Sequence, residues 1–138
     1  MEKYMRAQTP HNPENALKLI YLVEDDLLTS KVIKEILVKN GYNVERFNCI
    51  KPLIKAINQT KPDLLIMDIN LPEGKYAGVQ FLYYLKKEIP AIIITANENA
   101  STRYEAAMNG AKFYLKKPLN PQDIILRVDQ ALNDMKYC

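Results

Sequence analysis

Four short apolar runs and one weaker strand segment alternate along this chain with stretches of helical periodicity, and that alternation restricts the fold more than any other feature. The apolar runs are Leu19–Val23, Leu64–Met67, Ile92–Ile94 within a candidate strand Ala91–Thr95, and the centre of a candidate strand Lys112–Lys116, and the weaker segment is Asn43–Phe47. Each is short enough to be a strand and too short to be a globular helix. Between them lie apolar residues at helical spacing. Leu28, Val32, Ile33, Ile36 and Leu37 predict one face of a first helix, which Gly41 stops. Pro52 suits the opening turn of a second, with Leu53, Ile54 and Ile57 facing inward. Val79, Phe81, Leu82 and Leu85 predict a third, ended by Pro90. Tyr104, Ala107 and Met108 predict the inner face of a fourth, ended by Gly110. Asn120 is a candidate cap for a fifth, with Pro121 in its first turn and Ile124, Ile125, Val128 and Leu132 as its apolar stripe.

Strands alternating with helices predict an α/β fold: a doubly wound parallel sheet of five strands with right-handed crossovers. In open sheets of this kind ligands sit beyond the carboxyl ends of the strands. The polar residues that follow the apolar runs all fall there. The first run leads into Glu24-Asp25-Asp26, the third strand into Asp68, the fourth into Thr95 and the last into Lys117-Pro118. If the strands are parallel, these acids, a hydroxyl and an ammonium group meet at one edge. That set suits a divalent cation and a phosphoryl group.

Carboxylate and carbonyl oxygens are the ligands that Mg²⁺ prefers. Glu24, Asp25 and Asp68 supply carboxylates, and the backbone carbonyl just after Asp68 adds another oxygen. Taken alone, Glu24-Asp25-Asp26 reads equally as the acidic opening of a helix. Taken with Asp68 it reads as a metal site. Asp68 is also a candidate nucleophile toward phosphorus, a route to an acyl phosphate. Lys117 and Thr95 are candidates to hold phosphoryl oxygens, and the Lys117–Pro118 bond is a candidate cis peptide.

Composition removes several classes. The chain has 138 residues, enough for one domain with a full core. No apolar run approaches the ~20 residues of a membrane helix. Residues 1–16 are polar, carry Pro10 and Pro13, and show no secretory pattern, so the expected compartment is the cytoplasm. A net charge of +3 with scattered basic residues gives no reason to expect nucleic-acid binding. Cys49 and Cys138 fit no metal spacing, and Cys49 reads as a small packed apolar group. His11 has no evident partner.

Between residues 18 and 136 the chain resembles the receiver domain of two-component response regulators. The likeness rests on Tyr21-Leu22-Val23-Glu24-Asp25-Asp26, on Asp63 through Pro72 with Gly78, on Ile94-Thr95-Ala96, and on Gly110-Ala111 leading to Lys117-Pro118. The resemblance implies a flavodoxin-like sheet in the order 2-1-3-4-5. It implies that Asp68 takes a phosphoryl group from a phosphohistidine on a sensor histidine kinase or a histidine phosphotransfer protein. Asp25 and Asp68 would bind Mg²⁺ directly, Glu24 through water and Asn70 through its backbone carbonyl. Thr95 and Lys117 would hold the phosphoryl oxygens. Tyr114 stands where the family has its switch aromatic, following Thr95 inward on phosphorylation and reshaping the face of the fourth helix, last strand and last helix. Asn70 and Asn97 occupy positions that tune the lifetime of the phosphoryl group. The implied output is a downstream protein or an effector domain outside this chain, and the switch face is consistent with a homodimer. Beyond self-phosphorylation and self-dephosphorylation no enzymatic activity is implied.

Two departures stand out. The stretch from Asp68 to Gly78 is longer than the family's usual spacing by about two residues, which marks residues 73–77 as an insertion. Residues 1–17 form an N-terminal arm beyond the minimal domain. Two rivals share parts of the motif. Haloacid dehalogenase-like phosphatases need a second aspartate two residues after the nucleophile, where this chain has Asn70, which cannot carry the proton. A pseudo-receiver, a binding module of the same fold, would lack phosphorylation residues that are all present here.

Overall fold

The computed structural model describes residues 18–74, 76–96 and 100–133. The expected arm at 1–17, Asn97, Cys138 and Lys75 of the insertion lie outside these. Among these residues five strands, β1 (Leu19–Val23), β2 (Asn43–Phe47), β3 (Leu64–Asp68), β4 (Ala91–Thr95) and β5 (Ala111–Lys116), alternate with five helices. The helices are α1 (Leu27–Lys39), α2 (Ile50–Gln59), α3 (Ala77–Leu85), α4 (Ala100–Met108) and α5 (Pro121–Asn133). All strand pairings are parallel, in the order β2-β1-β3-β4-β5. The expected sheet is therefore the observed one.

Side-chain alternation divides the core into two layers. Tyr21, Val23, Leu65, Met67 and Ile93 face α2, α3 and α4. Ile20, Leu22, Leu64, Ile66, Ile92 and Ile94 face α1 and α5. Every residue of β3 and β4 is buried, as expected of central strands covered on both sides. Burying these rows supplies the main driving force for folding, about 25 cal/mol for each Å² of apolar surface.

Local chemistry sets the helix ends. Asp26 caps α1, accepting a hydrogen bond from the Thr29 N–H at 3.0 Å. Gly41, at φ 94°, follows the C-cap Asn40. Asn120 accepts from the N–H groups of Gln122 at 2.9 Å and Asp123 at 3.3 Å and so caps α5.

Three expectations need correction. Leu28 and Val32 are 72% and 46% exposed, so they are not on the core side of α1. Helical rows 28/32/36 and 33/37 lie side by side, and only the second points squarely at the sheet; Ile33 and Leu37 are buried and Ile36 is half-buried. Tyr104 and Met108 are also exposed, with Ala107, and the buried anchor of α4 is Ala106. This helix lies against the edge strand β5, where there is little sheet to cover. Finally, α3 ends before Pro90. Lys86 and Lys87 adopt left-handed conformations at φ 51° and 62° and turn the chain away after Leu85.

Candidate functional site

Strand register brings the polar residues together. Val23 pairs with Met67, Asp68 with Ile94, and Thr95 with Lys116. The next residue of each strand or loop therefore emerges at the same edge of the sheet. Glu24 follows β1, Asp68 ends β3, Thr95 ends β4, and Lys117 follows β5.

Lys117 is the hub. Its Nζ donates to Asp68 Oδ2 at 2.8 Å and also to Glu24 Oε1. The carboxylates of Glu24 and Asp68 are nearly or wholly out of solvent, while the ammonium is one-fifth exposed. The remaining carboxylate oxygens are held by backbone. Asp68 Oδ1 accepts from the Asn70 N–H at 2.9 Å, and Glu24 Oε2 accepts from the Asp26 N–H at 3.4 Å. The Lys117 N–H donates to the Thr95 carbonyl at 2.7 Å, which fixes the root of the lysine beside β4. The peptide bond that follows, Lys117–Pro118, is cis, as the sequence suggested.

The charges shift one another. Burial pushes the Glu24 carboxyl up to about 7; Lys117 pulls it down, and the Asp68 carboxylate pushes it up again. Burial alone would lower the Lys117 ammonium, but its hydrogen bonds to Asp68 and Glu24 outweigh that and hold it above the usual lysine value.

Glu24, Asp25 and Asp68 each offer a carboxylate oxygen, and these lie within 4.8 Å of one another. Three hard oxygen donors at that separation, one of them on an exposed residue, fit a hydrated divalent cation that keeps part of its water shell. Asp26, the last acid of the triplet, has the other role that its position allowed: it caps α1. Thr95 is fully buried. Tyr114 is half-buried and pairs with Ile93, so it shares a sheet face with Thr95, one side-chain step away. The Arg103 guanidinium lies 5.6 Å from the centre of its ring.

The loop after Asp68 is pinned at several points. Ile69 and Leu71 are buried, while Asn70 between them is exposed. Leu71 and Gly74 close a turn, with the Gly74 N–H donating to the Leu71 carbonyl at 3.0 Å. Gly74 has φ +146°, a conformation that other residues rarely adopt. A Cβ on Gly78 would lie 3.0 Å from both the Cα and the carbonyl oxygen of Ile69, so only glycine lets α3 start this close to the loop.

Two features escaped the sequence analysis. Glu73 accepts a hydrogen bond from the Ile50 N–H at 2.6 Å, tying the loop after Asp68 to α2. Leu28, Val32 and Ile36 line an apolar groove of about 530 Å³ with Pro118, Leu119 and Pro121, and Lys117 is at its wall. The exposed row on α1 was the available signal for the groove. Nothing local signals the Glu73 contact.

The response regulator receiver domain family matches residues 20–129. The chain belongs to that family. It is 29% identical over 118 residues to the phosphate regulon transcriptional regulatory protein PhoB of Escherichia coli, covering 82% of this chain and 51% of that protein. It is 31% identical over 121 residues to the transcriptional regulatory protein CrdR of Helicobacter pylori, covering 85% of this chain and 56% of that protein. The chain thus spans about half the length of these curated relatives. Among solved structures, a CheY-like response regulator receiver domain protein from Methanospirillum hungatei superposes with a TM-score of 0.81 at 26% identity, covering 88% of this chain and 98% of that one.

Proposed function

We propose that Asp68 is a phosphoryl acceptor and that this chain is a Mg²⁺-dependent signalling switch. The observation that carries the reading is the shared ion pair: one ammonium, Lys117, bonded to both buried carboxylates beside the exposed Asp25. Bound Mg²⁺, held by Glu24, Asp25, Asp68 and the Asn70 carbonyl, would supply positive charge against the phosphoryl oxygens.

The protein's own residues do the rest. An Asp68 carboxylate oxygen attacks the phosphorus of a phosphohistidine. The new O–P bond forms as the N–P bond breaks, and the imidazole leaves. Lys117 exchanges its Asp68 partner for a phosphoryl oxygen, which keeps the added charge compensated in a site with little water. The Thr95 hydroxyl turns to another phosphoryl oxygen. Tyr114, on the same sheet face, follows into the space that Thr95 vacates and alters the surface of α4, β5 and α5. Asn70 has no proton to give or take, so the acyl phosphate persists as a signal.

The donor is a histidine kinase or histidine phosphotransfer protein, seated on the apolar groove between α1 and the Pro118–Pro121 segment. The groove opens beside Lys117, so a helix docked there brings a histidine to the site. The receiver unit extends over residues 18–136, with 1–17 as an arm, in the cytoplasm. Its output is a downstream protein or an effector domain. Receiver domains of response regulators are signalling domains, and this chain is not proposed to turn over an external substrate.

The test is transfer of labelled phosphoryl from a phosphorylated histidine phosphotransfer domain. Wild type accepts label only with Mg²⁺ present, and Asp68→Asn accepts none. Label on the Asp68→Asn variant would overturn the assignment.

A further inference from the structure

The insertion after the phosphoryl-acceptor strand carries a contact that its neighbours explain. Leu71–Gly74 is a closed turn with Pro72 and Glu73 in its central positions, and proline favours the first of these. The turn presents Glu73 toward the N-terminus of α2. Its carboxylate accepts from the Ile50 N–H at 2.6 Å. That donor is free for it because Ile50 is the first residue of the helix, whose N–H has no partner within the helix, and Cys49 adds no side-chain cap to that end. A carboxylate also suits the positive end of the helix. Pro52 has no N–H and so adds no donor to that first turn, where the Lys51 N–H is the other donor. Helix α2 itself is anchored in the core through Ile50 and Leu53.

The same turn begins right after Asn70, whose N–H bonds Asp68 and whose carbonyl is a Mg²⁺ ligand of the proposed function. From Asp68 onward the loop is held by two apolar plugs, Ile69 and Leu71, by N–H bonds from Ile69 to the Ile94 carbonyl and from Asn70 to Asp68, and by a side-chain tether to α2, Glu73. Buried plugs hold the loop against the sheet. The Glu73 bond is the contact that ties this turn to the start of α2.

We propose that Glu73 is a positioning residue that latches the Asp68–Gly74 segment to α2 and so sets the placement of the Asn70 carbonyl for Mg²⁺. This rests on the reading of the site as a Mg²⁺-dependent phosphoryl acceptor and deepens it. The insertion is then part of the site's framework: it reaches a helix on the neighbouring strand connection and makes that helix a support for the metal loop. Groups that orient metal ligands by hydrogen bonds commonly change metal affinity by an order of magnitude or more; Glu73 acts one step further out, through the loop backbone, so the low end of that range applies.

The experiment measures Mg²⁺ affinity by titration calorimetry and stability by thermal melting in metal-free buffer, on the full chain, with the affinity read well below the melting temperature. Glu73→Ala weakens Mg²⁺ binding about tenfold and lowers the melting temperature. Glu73→Gln keeps the oxygen acceptor and keeps affinity close to wild type. Cys49→Asp added to Glu73→Ala gives α2 a side-chain cap for the Lys51 N–H but no link to the loop. This double variant regains stability and stays weak for Mg²⁺. Restored affinity in the double variant would reduce Glu73 to a helix cap and overturn the latch. So would unchanged affinity in Glu73→Ala, or equal weakness in Glu73→Gln. A wild-type chain that binds no Mg²⁺ overturns the site reading itself and the latch with it, whereas wild-type binding with an indifferent Glu73→Ala removes the latch alone.

Discussion

Lys117 and Asp68, separated by 49 positions in sequence, are joined by an ammonium–carboxylate bond of 2.8 Å at the carboxyl edge of the sheet. The same ammonium holds Glu24, so once Glu24 ionises, above about pH 7, one positive charge serves two buried negative ones. The site therefore has an excess of negative charge before any ligand arrives. That imbalance is stored against the fold and is relieved by a cation.

Removing one acid should stabilise the metal-free protein. Asp68→Asn leaves Glu24 and Lys117 as a neutral pair. It should raise stability by about 1 kcal/mol, in the manner of functional sites held at the fold's expense. Lys117→Ala leaves two buried carboxylates without their counter-charge and should cost about 3 kcal/mol. Urea unfolding in EDTA at neutral pH reads both, with opposite signs expected.

Glu24 sets a pH dependence. Its carboxyl is raised to about 7 in the folded state, above its ordinary value of 4.5. Between these values the folded state binds more protons than the unfolded one. The contribution is fully present below the lower value and is lost as pH rises through the upper. Metal-free protein should thus lose stability between about pH 5 and about pH 8, and saturating Mg²⁺ should flatten that loss. Because the cation needs the ionised carboxylate, its affinity should rise over the same interval, with protons released on binding.

The α1 groove separates docking from chemistry. Leu28 and Val32 are exposed, so replacing either with Asp should disturb the fold little. Each replacement should slow transfer from a histidine phosphotransfer protein about tenfold, the cost of one lost apolar contact at an interface centre. Phosphorylation by acetyl phosphate, which needs no docking surface, should be unchanged. Equal slowing with both donors would place the defect at Asp68 rather than in the groove.

Gly78→Ala tests the close approach of α3 to the loop. The added Cβ meets backbone atoms of Ile69 at 3.0 Å, and backbone cannot rotate away as a side chain can. A loss of about 1–3 kcal/mol is expected, typical of overpacking, with weaker Mg²⁺ binding because Ile69 adjoins both Asp68 and Asn70. Thermal melting and calorimetry check the two effects separately.

Much of this was legible in the residues. The run Leu64–Met67 closing on Asp68 announces a buried strand and its acid, because composition and position agree over a few residues. The acidic opening of α1, the cap Asn120 and the stop at Gly41 are equally local. The resemblance supplied the strand order, which periodicity cannot give. What was not legible depends on neighbours distant in sequence. Apolar spacing on α1 defines a stripe wider than the sheet contact, so Leu28 and Val32 looked like core. The same reasoning misplaced Tyr104 and Met108, because the helix pattern does not reveal that α4 lies at a sheet edge. Glu73 and Ile50, 23 positions apart, meet only because the turn at Leu71–Gly74 projects one at the other.

Intact mass after incubation with acetyl phosphate and Mg²⁺ tests the central claim most directly. The account predicts that wild type gains one phosphoryl mass, that the adduct is lost in hydroxylamine as an acyl phosphate should be, and that Asp68→Ala gains nothing. An unmodified wild type, or an Asp68→Ala variant that gains the same hydroxylamine-labile mass, would contradict it.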